Sequence, residues 1–381
     1  MPADRYELRF PLRRLLTGLL LTVIPICAIG LIVVSRAGQA LDRQWGRYFR
    51  TIAEFTASEI GMFFHERILA AGTLAADPLI VETVKQANAR YAGLSEAAVT
   101  DRINQIERDW NQPKGDAAVR AVLGNPAARL MMKWRDRDRR FLRLTLTDRY
   151  GAVVAATHKT LDYYQADEDF WQAIHAQGRG AVHITDVLYD DVTKSYYVGL
   201  GVPVMEEESN AFIGALDALI EVSSLFPLLH RLDLGPTSRM ILAKNDGTVI
   251  HAPNVNLAMN VKSAEFFAAQ ESMASGPSRW PGYVIAPLPG GEPVIIGYGS
   301  PGLEESFPNL NWRVLVAQNT RDAFAPTRGV LRLLYLMIMA GLAAVTLLAM
   351  YFALHRRQEV TRVAWKPEEA AEAEEPKETA P

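Results

Sequence analysis

The chain has few of the residues that would point to catalysis or to a disulfide-stabilised fold. Its 381 residues contain one cysteine, Cys27, which excludes an intramolecular disulfide. No HExxH, GxSxG, P-loop or CxxC motif occurs, and the histidines are scattered without the spacing of metal ligands. A net charge of -3 gives no reason to expect a nucleic-acid partner. The sequence therefore predicts a protein that is not an enzyme and that carries no cofactor or metal.

Charged residues are also missing from residues 15–34 and 333–354, two apolar runs long enough to cross a ~30 Å hydrocarbon layer as helices. Basic residues flank both runs on their outer sides: Arg5, Arg9, Arg13 and Arg14, then Arg356, Arg357, Arg362 and Lys366. The positive-inside rule places both termini in the cytoplasm. A cleaved signal peptide is the alternative for the first run, because residues 38–40 resemble a cleavage site. In either case the middle of the chain faces the outside.

A long amphipathic helix is predicted directly after the first run. Large apolar residues recur at alternating spacings of four and three, and Glu59 and Glu66 continue the same series. The apolar members are Leu41, Trp45, Tyr48, Ile52, Phe55, Met62 and Leu69. This stripe either packs on the protein's own core or forms a homodimer seam, which a carboxylate at Ile52 would disrupt. The helical pattern continues past Ile80 and from residue 95 to 110, and residues 111–115 (NQPKG) break it.

The pattern changes to strands at Phe141. Residues 141–147 alternate in polarity, residues 148–151 (DRYG) are turn formers, and an apolar run follows. A helix at 167–176, strands at 181–187, 196–204 and 212–221, a turn at 189–194 and a short helix through Leu229 complete a first unit.

The same order is repeated nearer the second apolar run. Strands at 239–243 and 248–251 flank the turn at 244–247, a helix carries Phe266 and Phe267, and strands follow at 283–288, 293–299 and 312–318. Gly151 and Gly247 occupy the same place in the two turns. One scaffold has been duplicated, so an α+β fold with two similar sheets is expected.

In this order of elements the chain resembles the double Cache sensor domains. The resemblance rests on residues 167–174 (DEDFWQAI), 184–194 (ITDVLYDDVTK), 202–204 (VPV) and 311–316 (NWRVLV), and it extends over about residues 15–354. It implies a long N-terminal helix that carries two tandem PAS-like antiparallel-sheet modules between two transmembrane helices.

The resemblance also implies boundaries along the chain. A cytoplasmic N-terminus at 1–14 and a transmembrane helix at 15–35 precede an extracytoplasmic, periplasmic domain at 36–328. That domain has a helical region at 36–140, a distal module at 141–232 and a proximal module at 237–320. A second transmembrane helix at 329–354 precedes a Pro- and Glu-rich tail at 355–381, which is expected to be disordered. The protein would then lie in the plasma (inner) membrane.

In such sensors a small ligand sits in the distal module, between the sheet and the preceding loop and helix. The residues at those places have aromatic faces and carboxylates, which suit a small polar or cationic guest. They are Tyr163, Tyr164, Asp167, Asp169, Phe170, Trp171, His183, Asp186, Tyr189, Asp190 and Tyr197. The alternative for Phe170 and Trp171 is a position in the core. The alternative for Asp190, with Asp191, is a solvated turn.

Amino-acid-binding members of the family carry a more detailed motif, and the chain departs from it. Tyr163 and Asp190 fit, whereas the position of an arginine is Glu168 and that of a tyrosine is Leu188. The last aspartate of the motif falls near Leu219, with Asp217 out of register. Without the arginine the fork that pairs with an α-carboxylate is missing, so a free amino acid is not expected as the ligand.

Sensors of this class normally continue into a signalling domain after the second span, whereas only a short tail follows here. The sequence therefore predicts a sensory protein that binds a small molecule and signals through a separate cytoplasmic or membrane partner, with membrane lipid around its spans. The alternative is a membrane-anchored interaction or scaffold domain with a degenerate pocket.

Overall fold

The structure is a computed structural model, and it describes residues 12–230, 234–255, 257–275, 282–289 and 291–355. The expectations for the N-terminal eleven residues and for the tail after His355 lie outside the described residues. The chain divides into two compact units, residues 1–40 with 327–381, and residues 41–326.

The first unit holds the two apolar runs. Helix α1 (Leu12–Ala75) contains the first run and helix α10 (Ala325–His355) the second. Both helices are long and apolar enough to cross a membrane, with mean hydropathies of 2.6 and 2.3 in their most apolar windows. Most large apolar side chains within the runs are exposed, as lipid-facing side chains are, among them Leu21, Leu31, Leu336 and Leu347.

The second unit begins with helices. After α1 come α2 (Pro78–Ala89), α3 (Glu96–Trp110), α4 (Asp116–Gly124) and α5 (Pro126–Arg137). Three of them begin at side-chain caps, because Asp77, Ser95 and Asn125 accept hydrogen bonds from Leu79 N, Ala98 N and Ala128 N. The predicted break after Trp110 is confirmed.

The distal module is one antiparallel sheet. Its strands are β1 (Phe141–Asp148), β2 (Val153–Ala156), β3 (His183–Asp190), β4 (Ser195–Met205) and β5 (Phe212–Glu221), in the order β2-β1-β5-β4-β3. Helix α6 (Asp169–His175) lies between β2 and β3 in the chain, and the short α7 (Phe226–Leu229) follows β5. One prediction is corrected: Tyr189 and Asp190 end strand β3, since they pair with Tyr196 and Ser195, and the turn contains only the next four residues.

The proximal module repeats this topology. Its strands are β6 (Arg239–Ala243), β7 (Val249–His251), β8 (Tyr283–Ala286), β9 (Val294–Gly299) and β10 (Arg313–Asn319), in the order β7-β6-β10-β9-β8. Helix α8 (Ala264–Ser275) occupies the place of α6, and the short α9 (Thr320–Ala323) follows β10. Two tandem sheets with one strand order confirm the predicted α+β fold and the duplication.

The duplication extends to individual hydrogen bonds at the first hairpin of each module. Gly151 and Gly247 both have positive φ, 84° and 80°, a conformation that favours glycine. Each glycine carbonyl accepts a hydrogen bond of 2.9 Å, from Gln165 N in the first module and from Ser263 N in the second. A Cβ on Gly151 would lie 2.6 Å from the backbone nitrogen of Ala166. The sequence repeat therefore preserves a backbone geometry.

Helix α1 forms the centre of the core, through a different face from the predicted stripe. Phe49, Ile60 and Phe64 are fully buried, and Phe64 packs edge-on against Trp312 with 5.6 Å between ring centroids. Strand β9 approaches the helix backbone closely at Gly297, where a Cβ would clash with Phe49.

The predicted stripe is largely exposed. Of its members, Ile52 is buried at 7% exposure, whereas Tyr48, Phe55, Met62 and Leu69 are exposed at 47, 60, 58 and 58%. The interpretation that these four pack on the protein's own core is therefore wrong. They form a row with a strict spacing of seven residues, called here the heptad stripe.

Candidate functional site

The two faces of the distal sheet carry different side chains, because side chains alternate along each strand. Leu144 and Leu146 of β1 point into the main core, so Arg143 and Thr145 lie on the opposite face. In β5, Leu216 and Ala218 belong to the same core, which puts Asp217 on the face of Arg143 and Thr145, where Ala215 also packs against Trp171. The register pairs Asp217 with Thr145 on one side and with Gly201 of β4 on the other. Chemically useful side chains from several strands therefore meet on one face.

Arg143 and Asp190 form an ion pair at the edge of this face. The Arg143 Nη1 to Asp190 Oδ1 distance is 3.1 Å, and both side chains are largely buried. Asp190 Oδ2 also accepts hydrogen bonds from Thr193 N and Oγ1, at 2.8 and 2.7 Å. Arg143 Nε is buried and has no hydrogen-bond partner among the described residues. Asp190 is thus held in place, while the guanidinium keeps one free donor.

Asp217 is the unusual member of the group. It is 8% exposed, and no hydrogen bond to its carboxylate is made by the part of the chain that the structure describes. Burial raises its pKa to about 6, although Arg143 opposes this and Asp190 adds to it. A carboxylate without a partner in such a place is costly when ionised and attracts a cation.

Tyr197 and Thr145 complete the site. Burial and the nearby Asp217 carboxylate raise the pKa of Tyr197 to about 12, so its phenol stays protonated. The Thr145 hydroxyl is buried without a hydrogen-bond partner in the described structure. We refer to Arg143, Thr145, Asp190, Tyr197 and Asp217 as the Asp217 cluster. It holds a carboxylate, a guanidinium N–H and a hydroxyl without hydrogen-bond partners among the described residues, together with a phenol.

Of the residues singled out in the sequence, Asp190 and Tyr197 belong to the Asp217 cluster. Trp171 lies next to it, because its Nε1 donates a hydrogen bond to Thr147 Oγ1 at 2.9 Å. The Trp171 ring also stacks on His175, with 5.0 Å between centroids. Phe170 packs against a small apolar cluster formed by Trp171, Ile174, Phe212 and Ala215.

Tyr163 and Tyr164 are placed against the helical region instead. Glu107 Oε2 of α3 accepts hydrogen bonds from both of their backbone nitrogens, at 2.7 and 2.8 Å. The Tyr163 ring is buried 5.2 Å from the Trp110 ring, and burial raises the pKa of its phenol. The structure does not bring these tyrosines to the Asp217 cluster.

Asp186 has its carboxylate occupied by the proximal module. Oδ1 accepts a hydrogen bond from Trp312 Nε1 at 3.1 Å, and Oδ2 lies 2.8 Å from Lys244 Nζ. The Asp186 carboxylate therefore joins the two modules, and its contact with a ligand stays a prediction.

The remaining candidates are peripheral. Asp167, Asp169 and Tyr189 are exposed, and Tyr189 packs edge-on against Tyr196. His183 is half-buried, and burial lowers its pKa.

Sequence reasoning missed Arg143, Thr145 and Asp217. Counting positions along the chain aligns the last aspartate of the family motif with Leu219, two residues after Asp217, so the motif does not identify Asp217. The alternation of β1 and β5 was the available signal, since Leu144 and Leu146, like Leu216 and Ala218, identify the core side. Among the described residues, no group of three or more His, Cys, Asp or Glu side chains is arranged to hold a metal ion.

No protein-family model matches the chain, and no curated protein matches it. Solved structures do match. The ligand-binding domain of the chemoreceptor PctB of Pseudomonas aeruginosa PAO1, in complex with L-Arg, is 18% identical, with a TM-score of 0.42, and the match covers 73% of this chain and 97% of that domain.

Two further ligand-binding domains are similar. That of the Pseudomonas fluorescens chemoreceptor CtaA, with L-isoleucine, is 15% identical over 75% of this chain and 97% of its own, with a TM-score of 0.45. That of Campylobacter jejuni Tlp3, with L-norvaline, is 12% identical over 74% and 94%, with a TM-score of 0.49. By the order of its own elements, a long helix followed by two sheets of one topology, the chain has a double Cache architecture.

Proposed function

We propose that the protein is a membrane-anchored sensor whose distal module binds a small organic amine at the Asp217 cluster. The single observation that carries this proposal is that Asp217 is 8% exposed while no described residue makes a hydrogen bond to its carboxylate. An ammonium group would supply the missing charge and up to three hydrogen-bond donors. Binding rather than catalysis is proposed, because the site lacks a nucleophile paired with a base.

The charges of the cluster favour a cation over an anion. Arg143 is already paired with Asp190, so an ionised Asp217 leaves the cluster with one excess negative charge. The Arg143 Nε–H and the Thr145 hydroxyl, which have no hydrogen-bond partner among the described residues, would orient a second polar group of the guest. Zwitterionic amines fit this description, because the Arg143 guanidinium on β1 would contact their carboxylate. Arg143 would thus substitute for the family's arginine, whose position is Glu168 here.

The helices that contain the apolar runs would hold the protein in the inner membrane, with both termini in the cytoplasm and residues 36–328 outside. A guest that binds one conformation of the distal module better than another would shift their populations. A separate cytoplasmic or membrane partner would read that shift.

We also propose that the protein is a homodimer through the heptad stripe. Apolar side chains that repeat every seven residues form one row along a helix, as one of the two core positions of a coiled coil does. Two copies in one membrane are parallel to each other, so their rows can face each other. An exposed row of Tyr48, Phe55, Met62 and Leu69 has this repeat. The same row supports the second candidate function, a scaffold that binds another envelope protein and senses nothing.

A thermal-unfolding screen of the full chain in lipid nanodiscs tests the sensor proposal. Primary amines and amino acids are compared with alcohols of the same carbon skeleton and with organic acids. A bound amine should raise the melting temperature by mass action. At an amine concentration of a hundred times its Kd, the free energy of unfolding should rise by about 2.7 kcal/mol. Asp217→Asn should abolish the shift, whereas Asp167→Asn at an exposed carboxylate should keep it. If no amine stabilises the protein, or if Asp217→Asn responds equally, the sensor proposal fails and the scaffold is favoured.

A further inference from the structure

A cavity that shares no residue with the Asp217 cluster lies between the distal and proximal modules. Its volume is about 540 Å³, within the range of small-molecule sites. The distal module contributes Tyr196, Glu221 and Phe226, from the beginning of β4, the end of β5 and α7. The proximal module contributes His251 of β7 and Asn254 of the following turn.

One wall of the cavity is aromatic. The His251 ring stacks on Phe226 with 4.1 Å between centroids and an interplanar angle of 28°. His230 contacts the His251 ring edge-on at 4.9 Å, and its Nδ1 donates a hydrogen bond to the Phe226 carbonyl at 2.8 Å. Burial and the neighbouring His230 lower the pKa of His251 to about 4, so its imidazole is neutral at neutral pH. Such a wall favours planar guests over flexible aliphatic ones.

The polar groups of the cavity restrict the charge of a guest. Glu221 is the only carboxylate among the described lining residues, and its charge disfavours anions. It accepts hydrogen bonds from N–H donors, and the Asn254 amide and the Ser195 hydroxyl add hydrogen-bonding groups beside it. Val222 and Ile250 add apolar surface to the lining.

From this combination we infer that the cavity between the modules is a second ligand site, for a planar, nitrogen-containing aromatic molecule that is neutral or cationic. The inference does not depend on the amine site of the distal module. A guest there would contact both modules at once, and its binding would depend on how they pack together.

Adenine is the first probe, titrated calorimetrically onto the full chain in nanodiscs. Ser223 is exposed and lines the cavity, so Ser223→Trp should fill it and abolish saturable adenine binding. Ser209→Trp, in an exposed turn of the same module, is the matched control and should bind as the unchanged protein does. Asp217→Asn should also retain adenine binding, which separates this site from the amine site.

Nicotinamide and nicotinate test the charge argument, because they share one ring and differ in charge. Nicotinamide should bind about tenfold more tightly, since Glu221 repels the carboxylate of nicotinate. Glu221→Gln should reduce the difference in affinity between nicotinamide and nicotinate. This test is independent of whether the Ser223→Trp variant folds. Absence of binding by both adenine and nicotinamide would overturn the inference. Retention of adenine binding in a folded Ser223→Trp variant, or its loss in Asp217→Asn, would do so as well.

Discussion

Trp312 of the proximal module donates a hydrogen bond to Asp186 of the distal module, with 3.1 Å between Nε1 and Oδ1. Asp186 lies on β3, four residues before Asp190 of the Asp217 cluster. One strand therefore carries both a candidate ligand contact and a contact between the modules. A displacement of β3 by a guest would therefore change the contact between Asp186 and Trp312 of the proximal module.

Removal of this contact should weaken the protein measurably. Asp186→Ala leaves Trp312 Nε1 without its acceptor and Lys244 without its partner, so we expect a loss of about 1.5–3 kcal/mol in the free energy of unfolding. Asp191→Ala is the control, because its ion pair with Lys194 is 69% exposed on both sides and should contribute little. Urea unfolding of the two variants measures the difference, and equal losses would contradict the assigned role of Asp186.

Asp217 should make the unliganded protein less stable at high pH. Its pKa is about 6 in the folded state and 3.8 ordinarily, so the folded state binds the proton more tightly. Stability should therefore rise as the pH falls from about 6 to about 4, by up to about 3 kcal/mol from this group. Asp217→Asn should be more stable than the unchanged protein at pH 8 and should show a flatter profile.

Melting temperatures from pH 4 to 8 provide the measurement. Asp148 contributes to the profile in the same direction, because burial raises its pKa to about 6 as well. The difference between the unchanged protein and Asp217→Asn isolates the Asp217 contribution. A variant whose profile is parallel to the original would show that Asp217 is not the titrating group.

Amine binding should be pH-dependent for the same reason. Below about pH 6 Asp217 is protonated in the absence of a guest and loses the charge that pairs with an ammonium group. The Kd of a bound amine should rise by up to tenfold for each further pH unit of acidification. Titrations at pH 5 and pH 7.5 test this, with an alcohol of the same skeleton as the control. An affinity that is independent of pH would place the ammonium group elsewhere.

Gly151 should be far less tolerant of substitution than Gly302. Both have positive φ, 84° and 73°, so alanine at either position is strained by about 1–2 kcal/mol. A Cβ at Gly151 also meets the backbone of Ala166, whereas the space around Gly302 is open. Urea unfolding of Gly151→Ala should therefore show the larger loss, and similar losses would contradict the close approach.

The heptad stripe can be tested in native membranes because Cys27 is the only thiol. In a Cys27→Ser background, Met62→Cys should form a disulfide-linked dimer, as the symmetry-related residues would lie within about 7 Å. Ser209→Cys, in an exposed turn outside α1, should cross-link much less. Adding Phe55→Asp should suppress the Met62→Cys product. Equal cross-linking at both positions would contradict the seam.

Ile52→Asp, the variant that the sequence pattern suggests, does not test the dimer. Ile52 is buried among core residues of the protein's own fold, so Ile52→Asp would place a carboxylate in the core. Unfolding would then be mistaken for loss of the seam. The side chain of Phe55 is exposed, and its replacement leaves the core intact.

Sequence by itself determined the elements and their repetition. Alternation in β1, the turn glycines Gly151 and Gly247, and the long apolar runs are local patterns, and each identifies its element without knowledge of the others. Local patterns also identified the long helix α1, although not which of its faces meets the core.

Only the tertiary structure decided which side chains meet. Asp217 faces Thr145, and Asp186 reaches Trp312, through strand register and module packing that join residues 72 and 126 positions apart in the chain. The exposure of Phe55 beside a buried Ile52 likewise depends on where the sheets contact α1. Periodicity gives the direction of a side chain relative to its own backbone, but its partners are set by the free energy of packing the whole domain.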